Sequence, residues 1–321
     1  MQTQMEIGEF TCGVHLPPAP EGGGVHRLPP SAIQPVYKVD EYPACPANWM
    51  HGSGLASSYF FAVEPGRHLW LDFNGNAMLS HHVAVVLSVQ GINPITGQPS
   101  KVLRLEQYRE KCPVHHIKFG EGRFCPECGY QWPPQNYMST TCWPHGRFWI
   151  DGWRVEDGTI RGFLITDETL RGVAQQLIGE DRVWAIGIAF YRSIEPKPQV
   201  SPLQVPRSVP SQLYGMCGQS VGSCVCTNAV MAADSLGFGN VPVKSVEPVA
   251  TKQIEIAAGA KIGQRLDHCD HKPLDFYEEA PAGVLYANYC TPTELDRILA
   301  AGKRDLTAGG EGFLAGLKTG N

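Results

Sequence analysis

The sequence predicts a mainly β fold: a β-sandwich or jelly-roll-like N-terminal domain with a zinc-ribbon-like insertion, followed by a small α+β C-terminal domain. Two observations favour this class. The 321 residues include 35 glycines and 26 prolines, and many of them separate short apolar segments, as turns separate strands. In addition, Glu156-Asp157-Gly158 between two apolar segments is the local pattern typical of a β-hairpin. The length allows two domains of roughly 150 residues each.

The N-terminal stretch, residues 1–48, is predicted to be an extended proline-rich arm. It contains eight prolines and shows no periodic apolar pattern, so it cannot build a core of its own. Its scattered apolar side chains, such as Phe10 and Val36, give it contacts with which to dock. We therefore expect an arm that lies on another surface in preference to a disordered leader.

Residues 49–193 are predicted to form the β-rich domain, with one helix at 167–178. The segments with strand-like sequences are 59–63, 68–73, 81–89, 147–154, 159–166 and 182–191. In 81–89 and 182–191 both alternating faces are apolar, which indicates strands that are covered on both sides. One cover could be the predicted helix, and the other must be a second sheet or a neighbouring subunit.

The C-terminal part is predicted to begin after a proline-rich linker at 194–212. The small α+β domain then spans 213–306, with strands near 253–257 and 283–289. Its helix follows the capping box that Thr291 opens, and Gly302 marks its end. The last residues, 307–321, form a glycine-rich tail with apolar side chains that are suited to docking.

A metal site is predicted within the insertion, which spans residues 108–137. The candidate ligands, spaced C-x2-H-x9-C-x2-C, are Cys112, His115, Cys125 and Cys128. Zinc takes four nitrogen or sulfur ligands in a tetrahedron, and each tight Cys-Pro turn supplies two of them. Residues 112–129 resemble a zinc ribbon. His116 could replace its neighbour His115 as the ligand, and the alternative to a metal site is four unrelated buried residues.

The predicted ion is one structural zinc. A hydrolytic zinc keeps a coordination position for water and has three protein ligands, whereas four well-spaced ligands close the shell. No acidic residue stands to the histidines as it does in the motif H-E-x-x-H. The ion would therefore stabilise an insertion that is too small to have its own core.

A second group of cysteines and histidines has no standard zinc spacing. Its members are Cys217, Cys224, Cys226, His268, Cys269 and His271. They could bind a second metal or take part in redox chemistry, which would require a depressed thiol pKa in a positive environment. Ordinary buried or turn cysteines are the simpler interpretation, because free cysteine is among the most buried residue types.

Charge and apolar segments limit the possible partners and the location. The formal net charge is −5 with 18% charged residues, and no basic stripe appears, so nucleic acid is an unlikely partner. A mild basic excess between Lys101 and Arg123 is interpreted as a solvated face. No apolar segment reaches the ~18 residues of a membrane helix, and the acidic N-terminus does not look like a signal peptide. Together with the metal-type cysteines, this predicts a cytoplasmic protein.

The function expected from these observations is a non-enzymatic, self-assembling subunit that forms a homo-oligomer, shell or filament. Contacts would come from the terminal arms and the two-sided apolar strands, since exchanged arms bury more surface than arms folded back on a monomer. The first alternative is a metal-dependent enzyme that uses the second Cys/His group. The other is an adaptor that binds a protein or nucleic acid through its zinc ribbon.

Overall fold

The fold consists of two β-sheets that pack face to face. The computed structural model describes residues 2–22, 24–27, 31–50, 54–100, 102–142, 148–155, 157–168, 171–179, 185–198, 254–264 and 272–304. The prediction of a mainly β chain is confirmed, since the described part holds fifteen strands and two α-helices. No helix in it combines the length and the apolar character needed to cross a bilayer.

The first sheet, sheet 1, has seven strands. They are β1 (Gln4–Ile7), β2 (Phe10–His15), β5 (His68–Asp72), β10 (Trp149–Ile150), β11 (Gly152–Arg154), β12 (Ile160–Thr166) and β14 (Glu255–Ile262). The order is β1-β2-β5-β12-β11, with β10 on β5 and β14 on β12, and all pairs are antiparallel. The β-hairpin predicted at Glu156-Asp157-Gly158 is confirmed, because β11 and β12 pair across it.

The second sheet, sheet 2, has eight strands. They are β3 (Tyr37–Lys38), β4 (Ala56–Ala62), β6 (His81–Val89), β7 (Ile92–Asn93), β8 (Gln98–Pro99), β9 (Tyr137–Ser139), β13 (Ile186–Pro196) and β15 (Gly283–Cys290). The order is β3-β4-β15-β13-β6-β7-β8, with β9 on β6. Among the described strand pairs of this sheet, only β4 and β15 run parallel.

The core lies between the two sheets. Apolar side chains of β1, β2, β5, β12 and β14 meet those of β4, β6, β13 and β15 in one buried cluster. Phe190 of β13 links the sheets, since its ring stacks on that of Phe10 in β2 at 5.0 Å between centroids. It also meets the ring of Phe73, just after β5, at 6.2 Å. This face-to-face packing makes the fold a β-sandwich.

The outer face of sheet 2 is buried as well, as the two-sided apolar pattern predicts. Ala84 and Tyr191, on β6 and β13, belong to a second buried cluster together with Leu103 and Tyr277. The cover therefore comes from loop segments of the same chain. The predicted helix does not provide it: α1 (Val173–Leu177) is shorter than expected and packs on β14 of sheet 1.

The N-terminal stretch is part of the sandwich and is not an arm. Strand β2 pairs with β5, and β3 pairs with β4. Met5 and Val14 are fully buried in the central core. The stretch finds its docking surface on its own globule, because the unpaired edges of β5 and β4 accept its short strands.

The two C-terminal strands also complete the main sandwich, which differs from the separate small domain predicted at 213–306. Strand β14 extends sheet 1, whereas β15 lies in the middle of sheet 2. Helix α2 (Pro292–Ala300) begins as predicted, with the Thr291 hydroxyl accepting the Glu294 amide at 3.2 Å. Most of the predicted linker and the tail at 307–321 lie outside the described residues.

Polar side chains are buried on the outer face of sheet 1. His15 stacks on Trp70 at 3.6 Å between ring centroids, and His68 is buried on the same strand as Trp70. Asp151, between β10 and β11, is only 3% exposed. In the described part of the chain, Asp151 Oδ1 and His68 Nε2 have no hydrogen-bond partner. Burial raises the Asp151 pKa to about 7 and lowers the His68 pKa to about 4.

Candidate metal centre

The insertion leaves the sandwich after β8 and returns to it at β9, and its two ends are held together. The Tyr108 amide donates to the Pro134 carbonyl at 2.7 Å, and Gln107 forms a β-bridge with Gln135. The two ends of the insertion are therefore fixed to each other at its base.

Two turns of the same geometry supply the candidate ligands. In the first, the Cys112 amide donates to the Ile117 carbonyl at 2.9 Å, and the Cys112 carbonyl accepts the His116 amide at 2.8 Å. In the second, the Cys125 amide donates to the carbonyl five residues later at 3.0 Å, and its carbonyl accepts the amide four residues later at 2.8 Å. The predicted repetition of a Cys-Pro turn is therefore a repetition of backbone structure.

This repetition distinguishes His115 from His116. His115 stands three residues after its cysteine, as Cys128 does in the second turn, and its side chain points to the centre. His116 occupies the position of Gly129, and both have left-handed backbone with φ of 58° and 68°. The turn closes there, so His116 does not contribute to the group of candidate ligand atoms that the structure brings together.

The four ligand atoms lie within 4.8 Å of one another. His115 Nδ1 is 3.6 Å from the Cys112 sulfur and 3.5 Å from the Cys125 sulfur. A tetrahedron with metal–ligand bonds of about 2.0–2.3 Å has edges of roughly 3.3–3.8 Å. The arrangement, which includes Cys128, could therefore hold a four-coordinate metal ion. Two of the ligands are buried and two are exposed.

Backbone amides point at the two buried sulfurs. The Cys112 sulfur accepts hydrogen bonds from the amides of Val114 and His115, and the Cys125 sulfur accepts them from Glu127 and Cys128. Burial opposes ionisation of Cys125, but these amides and the neighbouring thiols lower its pKa to about 6. Burial raises the Cys112 pKa despite its two amides. Amides directed at sulfur stabilise thiolate, which is the form that binds metal.

A small aromatic core and one arginine support the two turns. Tyr130 and Trp132 pack with the buried cysteines, so the aromatic stretch after the second turn faces inward. The Arg123 guanidinium donates to the carbonyls of Trp132 and Arg109, each at 3.1 Å, and to that of Tyr108. The sequence pattern places Arg123 on a solvated face and does not predict these hydrogen bonds. A single arginine in a polar turn gives no signal that it will bind three carbonyls.

The second Cys/His group lies outside the described residues. This applies to Cys217, Cys224, Cys226, His268, Cys269 and His271. The structure therefore gives no information on whether they meet. Within the described part, the insertion holds the one cluster of cysteine, histidine or acidic side chains with metal-ligand spacing.

Fold and site together define the class of protein: a two-sheet β-sandwich that carries a Cys3His cluster in an inserted pair of turns. Comparison with protein-family models, with curated proteins and with solved structures gave no match.

Proposed function

We propose that this protein is a non-enzymatic structural subunit in which one zinc ion orders the insertion 108–137. The observation that carries the proposal is the pair of equivalent turns that brings four candidate ligand atoms within 4.8 Å of one another. Three thiolates and one imidazole are ligands that favour zinc, and a shell of four protein ligands leaves no position at which a substrate or water could be activated.

The ion would supply folding free energy that the insertion lacks. Its own core is small and contains two of the ligand sulfurs. In zinc-finger peptides, binding of a structural zinc contributes about 10–16 kcal/mol at neutral pH. The turns around Cys112 and Cys125 are suited to binding a structural zinc, because their backbone amides are already directed at the sulfurs.

Self-association is part of the proposal, although through surfaces other than those first expected. The chain itself covers both faces of β6 and β13 and incorporates its N-terminal strands. The apolar side chains that stay exposed include Met78 and Ile194, at 80% and 61%. Their segments lie side by side, since Lys197 Nζ donates to the Ala77 and Leu79 carbonyls at 2.7 and 2.9 Å. A homo-oligomer contact on the surface that these two segments form would bury both side chains.

Metal analysis of the full-length protein, combined with Cys125→Ser, tests the zinc proposal. We expect one zinc per chain in the wild type, and loss of zinc in the variant. Hydrogen exchange in Cys125→Ser should rise across 108–132 and stay slow in β6 and β13. Cys45→Ser is the matched control, because Cys45 is half-buried in another part of the molecule.

Two results would contradict the structural role of the ion. One is an exchangeable water on the bound metal together with turnover of a compound. The other is an insertion that stays protected from exchange after the metal is removed. Two metal ions per chain would favour the metal-dependent enzyme built on the second Cys/His group. Light scattering tests self-association separately, and a monomer at high concentration would contradict it.

A further inference from the structure

The two cysteine ligands of the second turn differ in exposure. Cys125 is 1% exposed, whereas Cys128 is exposed at the surface. They belong to one C-x2-C turn, which closes where the Gly129 amide donates to the Cys125 carbonyl at 2.8 Å. The two sulfurs lie within 4.8 Å of each other. Residues three apart in a closed turn have Cα atoms less than about 7 Å apart, which is within the reach of a disulfide.

Cys128 also differs from the other cysteines whose burial the structure describes. Cys45 is half-buried, and four others are buried, namely Cys12, Cys112, Cys125 and Cys290. Burial raises the Cys45 pKa to about 11, so this thiol stays protonated at neutral pH. Oxidants in water attack thiolates, and the attack requires access to the sulfur. Among these cysteines, a dissolved oxidant would therefore reach Cys128 first.

A bound zinc ion would keep both sulfurs in the form that reacts. A thiol that coordinates zinc is deprotonated, so Cys128 and Cys125 would both be thiolates at neutral pH. Hydrogen peroxide is small and uncharged, so the exposed carboxylate of the adjacent Glu127 does not repel it. The thiolate of Cys125 lies next to the sulfur that peroxide would oxidise and can complete a disulfide with it.

We propose that the metal centre is a peroxide-sensitive switch, in which Cys128 is oxidised first and Cys125 then forms a disulfide with it. The inference rests on the proposed function, because it needs the bound zinc. In the first step, an S–O bond forms at Cys128 as the peroxide O–O bond breaks, which yields a sulfenic acid and hydroxide. In the second step, the Cys125 thiolate attacks the Cys128 sulfur, so that an S–S bond forms and the S–O bond breaks with release of hydroxide. The two sulfurs lose two electrons, the peroxide gains them, and both hydroxides take up protons to become water.

The disulfide would open the metal centre. It would remove two of the four candidate ligands and leave only Cys112 and His115, which both belong to the first turn. A bond within the second turn does not connect the two turns, so it cannot replace the ion that joined them. Oxidation would therefore release zinc and loosen the insertion, and a thiol reductant would restore the ligands.

Zinc release from the full-length, zinc-loaded protein tests this switch. Hydrogen peroxide is added, and a chromogenic zinc chelator records the release against a sample without peroxide. We expect peroxide to release the zinc, tandem mass spectrometry to find a disulfide between Cys125 and Cys128, and dithiothreitol to restore zinc binding. Cys128→His keeps four ligands but removes the exposed thiolate. It should bind zinc and release it at least about tenfold more slowly under peroxide.

The matched control is Cys45→Ser, which removes a half-buried cysteine outside the metal centre and should release zinc at the wild-type rate. Release from Cys128→His at that same rate would overturn the switch. So would a disulfide between Cys112 and Cys125 that leaves Cys128 reduced, and this result needs only the wild-type protein. Zinc that stays bound under peroxide contradicts the switch alone. A wild-type protein that binds no zinc contradicts the structural zinc, and the switch with it.

Discussion

Asp151→Asn is the substitution whose effect follows most directly from the structure. The carboxyl group lies between β10 and β11, and burial raises its pKa to about 7. A hydrogen bond to its own backbone amide acts in the opposite direction but is the weaker effect. The position is held by its main chain, since the Asp151 carbonyl accepts the Phe163 amide at 2.9 Å. Asparagine has the shape of the neutral acid and cannot ionise.

The pKa sets both the sign and the size of the effect. An unfolded aspartate has a pKa of about 3.9, so between about pH 4 and pH 7 the folded state holds the proton more tightly. The free energy of unfolding therefore falls as pH rises through this window, by up to about 1.4 kcal/mol per pH unit. Over the whole window, Asp151 destabilises the fold by about 4 kcal/mol. Roughly 2 kcal/mol of this loss falls between about pH 5.5 and pH 8.5.

Urea denaturation across this pH range measures the difference. Relative to wild type, Asp151→Asn should gain about 2 kcal/mol between about pH 5.5 and pH 8.5. Any constant cost of the new amide cancels in this comparison. The pKa of His68, about 4 in the wild type, keeps that side chain neutral in the folded state across this pH range. Asp275→Asn, at an exposed carboxylate, is the control. A constant difference between variant and wild type at every pH would refute the reasoning.

Two further substitutions test the packing. Gly162→Ala should lower the free energy of unfolding by about 1–3 kcal/mol, because a Cβ there would lie 2.3 Å from Cε1 of the buried His68 ring. Gly54→Ala serves as the control, because a Cβ at Gly54 would have no atom within 4 Å. Equal urea midpoints for the two variants would contradict the position of the His68 ring over Gly162. Phe190→Ala should cost about 3–5 kcal/mol by removing the ring that joins the two sheets. The exposed control Leu55→Ala should change stability by at most about 0.5 kcal/mol. A similarly small effect of Phe190→Ala would mean that the sheets do not share this core.

Local sequence patterns predicted the individual elements well. Strand β6 spans the residues predicted for it, His81–Val89, and Thr291 caps α2 as expected. The grouping of the elements was less predictable. Strand β15 lies between β4 and β13, and residues 1–48 contribute strands to both sheets. These pairings join segments that are far apart in the chain, and the apolar pattern of one strand does not identify its partner. Boundaries drawn from proline content alone therefore separated strands that belong to one core.

The candidate metal site also shows that a local sequence pattern predicts local structure but not contacts between distant segments. The spacing of cysteines predicted two turns, because each turn is local. The choice between His115 and His116 required the backbone conformation, in which only one of them stands where Cys128 does in the second turn. The role of Arg123 depends on three carbonyls at the base of the insertion, which no local pattern encodes.

The insertion is also connected to the sandwich, which affects what a metal ion could do there. The Tyr130 hydroxyl donates to the Thr96 carbonyl at 2.5 Å, so the residue after the second turn contacts the β7–β8 hairpin directly. Gly97 allows this approach, because a Cβ at this position would lie 2.6 Å from the same hydroxyl. The second turn of the insertion is therefore held against the β7–β8 hairpin of the sandwich. An ion bound at the four candidate ligands would therefore also constrain the β7–β8 hairpin, in addition to ordering the insertion itself.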